Sequence, residues 1–200
     1  MPISHNKKAV FVHIPKTAGT TVEKAFGMQN SESLYCTKYD ERYRVCPQHL
    51  YADEILNEQP NVKDYFWFTI VRNPFDKLVS EYHYINAVNC RARQFKGTSF
   101  EQFINNALTM DASERMFLFD RHLELQSNFI NDAVHVYKFE HLHQCFEDLK
   151  QKFKIPFFDH ERKSIRQNTA SYYNNELIER VRSFYQKDFT TFEYECELTK

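Results

Sequence analysis

Apolar positions follow two rhythms along this chain, and the change from one to the other outlines its elements. From Ala9 to Ile14, "AVFVHI", alternating β-branched and aromatic residues predict a buried strand. A helix over Val22 to Phe26 follows, with Gly27 suited to stop it. "MQNSESLYCTKYDERYRV" is polar and irregular and predicts a loop. In "PQHLYADEILNE", Pro47 fits a first-turn position and Leu50, Ile55 and Leu56 can share a face, which predicts a helix. Tyr65 to Val71, "YFWFTIV", is the most hydrophobic run and has the length of a central parallel strand. Directly after it, Asn73 can cap, Pro74 can take the first helical position, and Phe75, Leu78, Val79 and Tyr82 follow at helical spacing. Further helices are predicted at Ser99 to Leu108 and Ala112 to Arg121, a third strand in "AVHVYKF", and an amphipathic C-terminal helix through Leu177, Ile178, Val181 and Tyr185. Strand, turn and helix recur, so the pattern predicts an α/β domain around a central parallel sheet flanked by helices.

Length and charge narrow the picture. With 200 residues the chain suits a single domain, residues 1–200, and the three glycines and six prolines mark no linker. A net charge of −1 offers no field for nucleic acid or an anionic membrane, so any anion site has to be local. No apolar run approaches the roughly 20 residues of a membrane span, and the first residues lack the apolar core of a signal peptide. The chain therefore reads as cytoplasmic, unless it is a trimmed domain of a secretory-pathway protein. Five cysteines, without any Cys-x-x-Cys spacing, are expected to be reduced thiols.

Local anion chemistry is present at two strand exits. In an open parallel sheet, ligands bind beyond the carboxyl ends of the strands. "PKTAGTT" occupies that place after the first strand: backbone amides from Thr17 through Ala18, Gly19 and Thr20 to Thr21, the positive end of the next helix, the Lys16 ammonium and the threonine hydroxyls all suit a phosphate-like group. Thr20 and Glu23 also fit a capping box, which explains one threonine but not Lys16. A Walker A loop would place the lysine last, ahead of a serine or threonine on magnesium. Here the lysine comes first, so magnesium is not expected. The second exit, "IVRNPFDKLVSEY", offers the Arg72 guanidinium and the Ser80 hydroxyl; Arg72 could instead pair with Asp76 or Glu81.

These two stretches resemble the 5′-phosphosulfate loop and the 3′-phosphate motif of sulfotransferases that use 3′-phosphoadenosine 5′-phosphosulfate (PAPS), in particular the carbohydrate sulfotransferases of the heparan sulfate 2-O- and chondroitin type. "QSNFI", "VHVYKFEHL", "NTASYY" and the tail with Val181, Tyr185, Asp188, Phe192 and Tyr194 are similar as well. The resemblance implies a P-loop-like three-layer fold and transfer of a sulfuryl group from PAPS to an acceptor hydroxyl, a saccharide in that group, leaving adenosine 3′,5′-bisphosphate (PAP) and needing no metal. It implies that Lys16, Thr17, Ala18, Gly19, Thr20 and Thr21 hold the 5′-phosphosulfate, that Arg72 and Ser80 hold the 3′-phosphate, and that Lys16 neutralises charge on the departing oxygen. His49 lies where the 2-O branch carries its basic histidine, and the first turn of a helix would keep its ring neutral; Glu23 and Glu81 are alternative bases. Arg166 and Lys163 fall in the region that covers the nucleotide, where a solvated basic loop is the other reading. His13 reads as a hydrogen-bonded core residue, His83 as a candidate for the cleft wall, and His141 with His143 lacks a third metal ligand. The rival readings are a small-molecule kinase on a variant P-loop and a non-catalytic nucleotide-binding module. The two are separated from sulfuryl transfer by which nucleotide stabilises the protein.

Overall fold

Elements run along the chain as β1 (Ile3–Ser4), β2 (Ala9–Phe11), α1 (Gly19–Phe26), α2 (Ala52–Glu58), β3 (Phe66–Val71), α3 (Pro74–Ala87), α4 (Phe100–Thr109), α5 (Ala112–Phe119), β4 (His135–Lys138), α6 (Leu142–Phe153), α7 (Asn175–Phe184) and α8 (Gln186–Thr191). They are seen in a computed structural model that describes residues 1–28, 41–88, 90–156 and 168–198. Two compact units make up the chain: Met1–Arg72 with Asn128–Arg162, and Asn73–Ser127 with Lys163–Lys200.

The first unit carries the sheet. Among the described residues it has four strands in the order β1-β2-β3-β4, with β1 antiparallel to β2 and the rest parallel, so the expected mixed α/β fold with a mostly parallel sheet is present. Phe11 pairs with Phe68, and Val71 with Lys138, which brings the carboxyl ends of β2, β3 and β4 to one edge. Alternate residues Ala9 and Phe11 of β2 and Phe68 and Ile70 of β3 pack with Val22 and Phe26 of α1 and with Cys145, Phe146 and Leu149 of α6. Each large side chain buried there contributes about 1.5–3 kcal/mol. The pattern reading above omits α6, although Leu142, Cys145, Phe146 and Leu149 stand at i, i+3, i+4 and i+7.

The second unit is helical. Phe75, Leu78 and Val79 of α3, Phe103 and Ile104 of α4, Phe119 of α5, Val181 of α7 and Phe189 of α8 share its core. Asn73 caps α3 by accepting from the Phe75 amide at 3.0 Å, with Pro74 at the first position, as the sequence indicates. Ser99 and Gln102 form a capping box on α4, and Asp111 caps α5. α5 ends at Phe119, not Arg121, because Asp120 and Arg121 turn left-handed, at φ 50° and 64°. The following loop is held by buried polar groups. The Lys77 ammonium donates to the carbonyls of His122 at 2.5 Å and Glu124 at 3.5 Å, the Tyr185 hydroxyl donates to Leu123, and Asp188 accepts from the Gln126 and Ser127 amides.

No helix among the described residues is long and apolar enough to cross a membrane. Cys46, Cys90, Cys145 and Cys196 are free thiols, and burial pushes the Cys145 thiol up to about 12; Cys36 lies outside the described residues. Most of the irregular stretch that follows Met28 lies outside them too.

Candidate functional site

The exit of β2 is a strained turn. Pairing with β3 continues one residue past the strand, as the Val12 amide donates to Phe68 at 2.9 Å and Thr69 Oγ1 donates to the Val12 carbonyl at 2.7 Å. The chain then bends sharply: the Ile14 amide returns to the Val12 carbonyl, and the fully buried Thr17 donates its hydroxyl to the Ile14 carbonyl at 2.7 Å. Lys16 and Ala18 flank Thr17 in the left-handed region, at φ 69° and 71°. Each such residue costs about 1–2 kcal/mol, and left-handed residues within a short run are the geometry from which anion-binding nests of amides are built. α1 begins at Gly19 with Ala18 as its cap, a residue that makes no side-chain cap bond. The amides of Thr17, Ala18 and Gly19 donate to no acceptor among the described residues. This is an open, positively polarised helix start.

A buried polar cluster lies against the turn. A Cβ on Gly19 would fall 2.0 Å from His13 Nε2, so only glycine fits beside that ring. His13 Nδ1 is hydrogen-bonded to Glu23 Oε1 at 2.7 Å. Gln48 Nε2 donates to both oxygens of Glu23, at 2.9 and 2.8 Å. Next along the chain is His49, whose ring stands edge-on to His13 with centroids 5.1 Å apart. All four residues are buried.

Arg72 leaves β3 at the same sheet edge. It is 6% exposed. Its Nη1 donates to the Lys16 carbonyl at 2.9 Å, and its guanidinium lies over the Phe139 ring, 3.9 Å from the centroid. Because Phe139 follows β4, Arg72 touches the exits of both neighbouring strands. A desolvated guanidinium stacked on an aromatic face gains about 2 kcal/mol and keeps its plane fixed.

Against this geometry, a model of the sulfotransferase family matches residues 1–195. The chain belongs to the sulfotransferase family. The match runs through both compact units. Among curated proteins and solved structures, none matches the chain.

The residues singled out in this sulfotransferase by sequence fall as follows. Lys16, Ala18 and Thr20 are half-buried in the turn and the first turn of α1, while Thr17, Gly19 and Thr21 are buried. Arg72 is joined to the Lys16 backbone, and His49 to the wall behind the turn. Ser80 is half-buried in the second turn of α3 in the helical unit. Arg166 and Lys163 lie outside the described residues. His83 Nε2 meets the Tyr172 hydroxyl at 2.7 Å, and His141 and His143 are exposed after β4.

Two expectations are corrected. Thr20 and Glu23 form no capping box, because α1 starts earlier and Glu23 is spent on His13 and Gln48. His49 is not in the first turn of α2: it ends a short 3-10 turn, Pro47–His49, and Leu50 and Tyr51 are extended before the helix begins at Ala52. The Glu54 carboxylate caps the Tyr51 amide at 2.8 Å and so sets that later start. A helix dipole therefore gives no reason for a neutral His49. Of the alternative bases, Glu23 has both oxygens engaged in the interior and Glu81 Oε2 is hydrogen-bonded to His122 Nδ1 at 2.7 Å. Sequence reasoning missed Gln48, and it missed the role of Glu23. The available signal was spacing, since Gly19, Glu23 and Phe26 fall on one buried face of α1.

Proposed function

We propose that this sulfotransferase moves the sulfuryl group of PAPS to an acceptor hydroxyl, and that the acceptor is a saccharide. The observation that carries the donor assignment is the contact between the Arg72 guanidinium and the Lys16 carbonyl, which puts a fixed cation and an open amide turn at adjacent strand exits. A nucleotide with two separated anionic groups is the guest with matching charge. The turn from Thr17 to Thr21 would take the 5′-phosphosulfate on its amides, and Arg72 would take the 3′-phosphate through its fork. The saccharide acceptor rests on the resemblance of both motifs to carbohydrate sulfotransferases.

In the reaction the sulfur–oxygen bond to the 5′-phosphate breaks as a bond forms to the acceptor oxygen, in line. Lys16 neutralises the charge growing on the departing oxygen of PAP. The acceptor proton passes to His49. A sulfuryl group carries less charge than a γ-phosphoryl group, so a lysine with backbone donors supplies the stabilisation that a metal gives in kinases.

Thermal unfolding tests the donor. A ligand present at about 100 times its dissociation constant adds about 2.7 kcal/mol. PAP without magnesium is expected to raise the melting temperature clearly, and magnesium-ATP much less. The opposite ranking would replace this reading with a kinase.

A further inference from the structure

Glu23 is a carboxylate sealed behind the anion turn, at 0% exposure, and the chemistry above makes no use of it. Burying an ionised carboxylate costs several kcal/mol unless its oxygens are hydrogen-bonded. Here Oε1 lies 2.7 Å from His13 Nδ1 and accepts from Gln48 Nε2 at 2.9 Å, and Oε2 accepts from Gln48 Nε2 at 2.8 Å. One proton lies between the two groups, and the bond it makes ties the ring to the carboxylate whichever atom carries it. That fixes the ring which excludes a side chain at Gly19.

Both partners of Glu23 lead to the same third residue. Gln48 immediately precedes His49 in one turn of 3-10 helix, whose closing bond runs from the His49 amide to the Cys46 carbonyl at 2.9 Å. His13 presents its ring to the edge of the His49 ring at 89°. The backbone and the imidazole of His49 are thus both tied, one step removed, to a carboxylate on the helix whose start forms the anion turn. We infer that Glu23 is a positioning residue that sets the His49 imidazole against this turn, acting through Gln48 and His13. The role rests on the assignment of His49 as base. An apolar side chain on that face of α1 would bury without a desolvation cost, whereas a carboxylate imposes direction on the groups around it.

Nitrogen spectra of ring-labelled histidine test the inference without needing an acceptor, with His49→Ala assigning the His49 signals. In the wild type the two ring nitrogens of His49 should differ strongly, as they do in a single held tautomer. In Glu23→Gln and in Gln48→Ala they should converge as the tautomers exchange, while the dissociation constant for PAP, measured by calorimetry, changes by less than about tenfold. If the His49 nitrogens stay as separated as in the wild type while the melting temperature falls, Glu23 is a structural tie and the inference is overturned. Should Glu23→Gln fail to fold, Gln48→Met keeps the side-chain volume and decides the same question. If PAP fails to bind the wild type, the donor assignment falls, and the spectra still report whether Glu23 holds His49.

Discussion

Two of the helices that follow a strand exit, α1 after β2 and α3 after β3, start in opposite ways. α3 is closed: the Asn73 side chain accepts from the Phe75 amide, and Pro74 has no amide hydrogen to offer. α1 is open: its cap is a left-handed alanine that makes no side-chain cap bond, and the turn before it holds a second left-handed residue at Lys16. The closed start gains stability and leaves little backbone for an anion, so an anion proposed at that exit would have to be met by a side chain, and Arg72 is the cation that stands there. The open start accepts strain of about 1–2 kcal/mol per left-handed residue and in return presents the backbone itself.

Changes to the two cations should separate the exits most sharply. Lys16→Ala is expected to lower sulfuryl transfer about 100- to 1,000-fold, the size of losing one transition-state charge partner, read as initial rates with labelled donor and a saccharide acceptor. Arg72→Ala should instead weaken PAP binding about 10- to 100-fold in calorimetry, the range of a lost charged hydrogen bond, with far less change in turnover at saturating donor. Equal losses of turnover in both would erase the distinction.

A smaller effect probes the open start directly. Gly19→Ala drives a methyl group to 2.0 Å from His13 Nε2 and should destabilise the fold by about 1–3 kcal/mol in urea unfolding. Adding His13→Ala should return part of that loss. Destabilisation unaffected by removing the ring would mean that the ring is not what demands glycine. The smallest effect belongs to the closed start: Asn73→Ala should cost about 1 kcal/mol of stability and leave PAP affinity unchanged. A drop in affinity there would show that the closed start also serves the ligand.

The same contrast explains what could be read from the amino acids. The start of α3 is written in side chains, so Asn73 and Pro74 announce it to within a residue. The start of α1 is written in backbone angles at Lys16 and Ala18, which no residue type signals, and the reading placed it three residues late. Lys16 and Arg72 stood out because each is a cation at a strand exit, where a parallel sheet binds its ligands. Glu23 did not, because a carboxylate near a helix start ordinarily caps it; its partners, His13 and Gln48, stand 10 and 25 residues away in sequence. His49 was placed in a helix because Pro47 looks like a first helical residue, and the extended Leu50 and Tyr51 carry no breaker.

One detail of the helical unit bears on its chemistry with added reagents. The Lys77 side chain is 1% exposed and its amine is plugged into the carbonyls of a loop. Acylating or alkylating reagents meet it only when that unit opens, so Lys77 serves as a built-in tag for opening while surface lysines react at once.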